Sequence, residues 1–161
     1  MQSSNRTVNV GLIGLGTVGG GVFRLIQSHA DGYRKNRGID LRVARACGLD
    51  EERARELGVT AEQFTTDWRE VASDPSIDIV VEVIGGEHPA TEIFLESFAH
   101  GKHVVSANKA LLGRHMDELA GAATRRASSC AARRPAAAAS PSWTPSSATS
   151  PATRSSPSRA S

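Results

Sequence analysis

The chain has 161 residues with 19 Lys and Arg against 17 Asp and Glu, and two cysteines, Cys47 and Cys130, which is length enough for one hydrophobic core and too few cysteines for a disulfide scaffold. The charge is unevenly placed: residues 1–123 hold 13 basic and 17 acidic side chains, while the last 38 hold six arginines and no acid, so the basic balance is not a nucleic-acid signature of the folded part. No run approaches the ~20 apolar residues of a membrane span, and Met1 to Arg6 lack the apolar core of a signal peptide, which points to a soluble, cytoplasmic protein.

The first element is an apolar run, Val8 to Ile13, that reads as a buried strand and ends in Gly14-Leu15-Gly16-Thr17-Val18-Gly19. A helix is predicted from about Thr17 to Ser28, with Val18, Val22, Leu25 and Ile26 on the face toward the sheet. Asp31 to Gly38 reads as a polar, glycine-bounded loop. Ile39 to Leu49 is a second strand with partial alternation, and Cys47 in it reads as a plain buried thiol. Glu51 to Leu57 is a short helix stopped by Gly58, and Thr66 or Asp67 caps another that ends before the turn at Asp74-Pro75-Ser76.

Ile77 to Ile84 is the strongest strand, ended by Gly85-Gly86. Pro89 suits the first turn of a helix running to about Ala99 and closed by Gly101. His103 to Ser106 is a further short strand, and Arg114 to about Ala123 is helical. His88, His100, His103 and His115 show no metal-ligand spacing and read as surface or strand-end residues. Strands alternating with helices imply an α/β fold, a Rossmann-type doubly wound parallel sheet, over residues 1–123.

From Thr124 onward the composition changes abruptly to Ser, Ala, Arg, Pro and Thr with one Cys and one Trp, and this tail, 124–161, is expected to be low-complexity and disordered.

In such a sheet a ligand sits at the carboxyl ends of the strands, and three ends carry suitable residues. At the first, Gly14 permits the tight turn, Gly16 lets backbone approach a pyrophosphate, and Gly19 lets the helix lie close on the strand. The pyrophosphate then meets the unpaired amides and positive dipole of the helix start. At the second, Gly85 and Gly86 let backbone approach the nicotinamide ribose. The third is a polar cluster, Ser106-Ala107-Asn108-Lys109, just past a strand.

These segments, with Val80 to Gly86 and Gly101 to Leu112, resemble homoserine dehydrogenase in order and spacing, over about Val8 to Ala123. The resemblance implies an oxidoreductase that interconverts L-homoserine and L-aspartate 4-semialdehyde with NAD or NADP, in threonine and methionine biosynthesis. It places Gly16, Thr17 and Val18 on the pyrophosphate, and Lys109 beside the nicotinamide with a role in proton transfer or orientation. Where the family often has an Arg-Asp pair after the second strand, this chain has Leu49-Asp50. Asp50 favours a free ribose 2′-hydroxyl, yet Arg53 is within reach of a 2′-phosphate, so both cofactors stay open. Asp50 also lies further from the glycine turn than the usual ~20 residues, which is attributed to the loop at 31–38.

The family also needs a substrate-binding and dimer-forming region, which the tail cannot build, so the chain is expected to be a cofactor-domain fragment and a homo-oligomer only in full-length form. The tail reads as the family's next segment one nucleotide out of frame: shifted codons permit a strand ending in Cys-Glu-Ala, a Gly-Gly-Ile-Pro turn and a helix closing in Leu-Ala-Gly-Asn. The alternative is a stand-alone dinucleotide-binding module without catalysis. The tail arginines lack interleaved aromatics apart from Trp143, which does not suit a nucleic-acid partner.

Overall fold

The structure, a computed structural model, describes residues 6–133. Strands β1 (Arg6–Ile13), β2 (Ile39–Cys47), β3 (Phe64–Thr65), β4 (Ile79–Glu82) and β5 (His103–Ser106) alternate with helices α1 (Thr17–Arg37), α2 (Glu51–Leu57), α3 (Trp68–Ser73), α4 (Ala90–Ala99) and α5 (Lys109–Arg133). The strands form one parallel sheet in the order β3-β2-β1-β4-β5, so the expected doubly wound architecture is present. Its direction of winding reverses between β1 and β4, which opens a crevice at their carboxyl ends. The register puts Thr65, Cys47, Ile13, Glu82 and Ser106 in one row across all five strands.

Successive residues of a strand point to opposite faces, and each face has its own core. Leu12 packs with Phe23 of α1, Ala54 and Leu57 of α2, and Val43 and Ala46 of β2. Ile13 faces the other way, onto Cys47, Val71 of α3, Val80 and Ile93 of α4. A third cluster, with Ala90, Phe94, Leu111 and Leu119, joins α4 to α5. Val43 and Ala46 lie three apart yet share a face because the β1–β2 register shifts between Val10 and Gly11, pairing these with Val43 and Arg45.

Several boundaries differ from the sequence reading. The loop expected at 31–38 is the last part of α1, which runs to Arg37 and closes on Gly38 at φ 63°. Gly32 in its interior costs about 1 kcal/mol against alanine. Opposing this are Arg34, which pairs with Asp31 at 3.0 Å and Asp40 at 2.6 Å, and basic side chains in a last turn whose dipole favours them. The buried face of α1 is Gly19, Gly20 and Phe23, with Val22 and Ile26 partly covered, whereas Val18 and Leu25 are exposed. The glycines bring the helix axis close to the sheet, and that turns the face away from Val18. β4 is shorter than the apolar run suggested, and β3 was not foreseen. Helix α5 starts at Lys109 rather than Arg114, has a non-helical residue at His115, and continues through Thr124 to Arg133. Residues 124–133 of the tail expected to be disordered are thus the last part of α5, and the remainder of that tail lies outside the described residues.

Candidate functional site

The carboxyl ends of β1, β2 and β4 border a cleft of about 520 Å³, lined by Gly14, Leu15, Gly16, Asp50, Arg53, Trp68, Val83 and Pro89 among others. The glycine turn forms its floor. Gly14 holds φ +107°, a conformation that disfavours any side chain, and donates its N–H to the Cys47 carbonyl at 2.9 Å. Gly19 is buried so tightly that a Cβ there would stand 1.7 Å from the Gly14 carbonyl oxygen. At Gly16, by contrast, no atom lies within 4 Å of where a Cβ would be. That open space beside the start of α1 is what a pyrophosphate needs.

Gly16 occupies the N-cap position of α1 without a side-chain cap, and no acid stands in the first turn. The amides of the exposed Thr17 and Val18 and of Gly19 therefore keep the positive helix end unneutralised, a setting that favours an anion. These residues fit the dinucleotide that the sequence implied.

At the far wall, Asp50 is the N-cap of α2 and accepts from the Arg53 N–H at 2.9 Å through Oδ1. Arg53 pairs with Glu56 at 2.9 Å, so the charge of its guanidinium is already partly matched. The extra separation of Asp50 from the glycine turn comes from the length of α1 and not from a loop. Cys47 is buried, and desolvation, reinforced by the charges of Asp67 and Glu70, pushes its thiol up to about 11. It is a neutral wall of the cleft and no nucleophile.

Gly85, Ser106, Asn108 and Lys109 stand outside that cleft, at the ends of β4 and β5. Gly85 and Gly86 both hold positive φ, 75° and 78°. Ser106 Oγ donates to Glu82 Oε2 at 2.7 Å and accepts from the Asn108 N–H at 2.9 Å. The Asn108 side chain donates to the Gly86 carbonyl and accepts from the Leu111 N–H at 3.2 Å, capping α5. Both polar side chains are thus engaged within the protein, and Lys109, the exposed first residue of α5, makes no ion pair with a described residue.

Sequence reasoning missed Trp68, Thr66 and Pro89 as cleft walls, because nothing in their local pattern distinguishes a wall from a helix start. It also passed over Glu82, whose signal was an acid between valines in the apolar run Ile79 to Ile84.

The family model for the NAD-binding domain of homoserine dehydrogenase matches residues 14–131. The chain belongs to the homoserine dehydrogenase family. It is 39% identical over 114 residues to homoserine dehydrogenase of Neisseria gonorrhoeae, covering 71% of this chain and 26% of that protein. Against the Mycobacterium leprae enzyme it is 41% identical over 123 residues, 76% of this chain and 27% of the relative. The crystal structure of the homoserine dehydrogenase of Thiobacillus denitrificans superposes with a TM-score of 0.70 at 40% identity, over 76% of this chain and 28% of the other. That of S. aureus gives 0.70 at 32% identity, over 76% and 31%. The chain spans about a quarter of the length of the curated relatives it matches. The matched region includes the whole glycine turn and the polar cluster after β5, and it crosses the composition change at 124. None of the described helices is long and apolar enough to cross a membrane.

Proposed function

We propose that residues 1–123 bind NAD or NADP in the cleft at the switch point, and that as part of a complete homoserine dehydrogenase they serve the interconversion of L-homoserine and L-aspartate 4-semialdehyde. One observation carries the reading: the turn holds Gly14 at φ +107° while leaving the space at Gly16 empty, in a chain of this family. Gly14, Gly16, Thr17, Val18 and Gly19 hold the pyrophosphate, and Asp50 offers its second carboxylate oxygen to a ribose hydroxyl. When bound, the nicotinamide supplies hydride transfer. Gly85 bounds the nicotinamide side, Ser106 and Asn108 hold the neighbouring turn, and the Lys109 ammonium orients the reacting oxygen or moves its proton.

The substrate is a small molecule, the pathways served are threonine and methionine biosynthesis, and the setting is cytoplasmic. The sequence of the tail, 124–161, is the family's next segment read one nucleotide out of frame, and assembly into a homo-oligomer belongs to the full-length form. Titrating the 161-residue chain with NADH and NADPH by nicotinamide fluorescence tests the cofactor assignment; no saturable signal with either overturns it.

The second reading is a dinucleotide-binding module without catalysis. It is favoured by the cleft itself, whose lining includes Gly14, Gly16 and Asp50 but not Ser106, Asn108 or Lys109. Saturable cofactor binding with no homoserine oxidation fits both this module and a fragment of a complete enzyme. A genomic reading frame continuing past the tail favours the fragment, and measurable turnover excludes the module.

A further inference from the structure

Glu82, the last residue of β4, is fully buried, and no Lys or Arg among the described residues pairs with it. A buried carboxylate is costly unless its oxygens are satisfied. Here both are: Oε1 accepts from the Ile84 N–H at 2.8 Å, and Oε2 accepts from Ser106 Oγ at 2.7 Å. Ile84 leads into Gly85-Gly86. Ser106 in turn accepts from the Asn108 N–H, and the Asn108 side chain returns to the Gly86 carbonyl. Glu82 therefore closes a ring of hydrogen bonds that joins the turn after β4 to the turn after β5. The second of these turns carries Lys109 at the start of α5.

We propose that Glu82 is a positioning residue that, through Ser106, locks the two turns flanking the nicotinamide and so sets the placement of Lys109. This rests on the cofactor reading above. The residue type follows from what the ring demands. A carboxylate accepts on both oxygens at once, whereas a glutamine amide has one accepting oxygen and must release either the Ile84 N–H or the Ser106 O–H. An apolar residue would satisfy neither. The fixed geometry resembles what second partners supply to a site elsewhere: they touch no ligand and hold the groups that do.

The test uses two ligands that differ only in the nicotinamide: NAD and ADP-ribose, both titrated calorimetrically into the 161-residue chain. In Glu82→Gln and in Ser106→Ala, the affinity for NAD should fall about tenfold relative to ADP-ribose, whose affinity should stay within about twofold of wild type. Ser106→Thr keeps the hydroxyl and should restore the wild-type ratio. An equal loss of both ligands would show that Glu82 only supports the fold, and an unchanged ratio would show that it positions nothing; either overturns the proposal. Should Glu82→Gln fail to fold, the two Ser106 variants decide by the same ratio. If the wild-type chain binds neither ligand, the cofactor reading has failed and this inference falls with it.

Discussion

A β-carbon added to Gly19 would meet the carbonyl oxygen of Gly14 at 1.7 Å, while one added to Gly16 would meet nothing within 4 Å. Two glycines of one turn thus differ: the fold leaves no room for a side chain at Gly19 and leaves open space at Gly16. Gly16→Val should raise the dinucleotide dissociation constant by about a hundredfold or more and shift the thermal midpoint little, since the valine occupies only the ligand's space. Gly19→Ala should destabilise the chain by about 1–3 kcal/mol, the usual cost of overpacking, or prevent folding. Denaturation and titration of both variants check the pair; a Gly16→Val chain that binds normally would remove the pyrophosphate from this turn.

Asp50 has two tasks that one substitution can separate. Asp50→Ala removes the cap of α2, expected to cost about 1 kcal/mol. It also removes the negative charge beside Arg53 at the cleft wall, so the affinity for NADPH relative to NADH should rise. Competitive titration with the two cofactors reads the ratio, and an unchanged ratio would mean that Asp50 is a cap alone.

The strands, their parallel order and the glycine turn were legible because each rests on a local signal: an apolar run, a glycine spacing, an alternation of element types. What escaped was set by tertiary packing. Val43 and Ala46 break the two-residue period because a register shift separates them, so the second strand looked only partly alternating. Asp31 to Arg37 is polar and contains Gly32, and its helical state depends on Asp40, which belongs to the next strand. The shape of the candidate site was legible where backbone conformation decides it, at Gly14 and Gly16. It was illegible at Glu82, whose importance lies in a serine 24 residues away.

Lys109 is exposed and makes no ion pair with a described residue, so its removal should leave the fold intact. In a complete enzyme carrying this domain, Lys109→Ala should lower kcat by about a hundredfold while raising KM far less, as expected of a group acting on the reacting oxygen. Steady-state kinetics with homoserine give the answer. Wild-type values of both parameters would return Lys109 to the surface.

Lys102 is buried just before β5, at the opposite end of that strand from Lys109, with Nζ donating to the carbonyls of Asp74 and Ile77, the latter at 2.9 Å. Desolvation lowers its pKa, against the pull of Asp74 and Asp78. The neutral amine still has the two N–H groups that both carbonyls need. Between its lowered folded pKa and the ordinary value of 10.5, the unfolded chain binds more protons than the folded one, so this residue makes stability rise with pH in that window. Lys102→Met should cost about 1–3 kcal/mol at neutral pH through two unsatisfied carbonyls. The difference in stability between wild type and variant should widen as pH rises toward 10.5; a difference that narrows would contradict the burial argument.

The remaining prediction concerns Cys47, whose carbonyl anchors Gly14 and whose thiol borders the same cleft. Only the thiolate reacts with a disulfide reagent, and burial has moved this thiol from the ordinary 9.0 up to about 11. At pH 8 the thiolate fraction is therefore about a hundredfold lower in the folded chain than in the unfolded one, before any loss from restricted access. In a Cys130→Ser background, so that a single thiol reports, native labelling should be slower than labelling in denaturant by at least that factor. The native rate should also climb about tenfold per pH unit up to about pH 11, whereas the denatured rate levels off near pH 9. Saturating dinucleotide should slow the native reaction further, because the ligand fills the cleft that gives the reagent its way in. A native rate close to the denatured one would show that Cys47 is neither desolvated nor a wall of the site, and protection absent at saturating cofactor would place the ligand elsewhere.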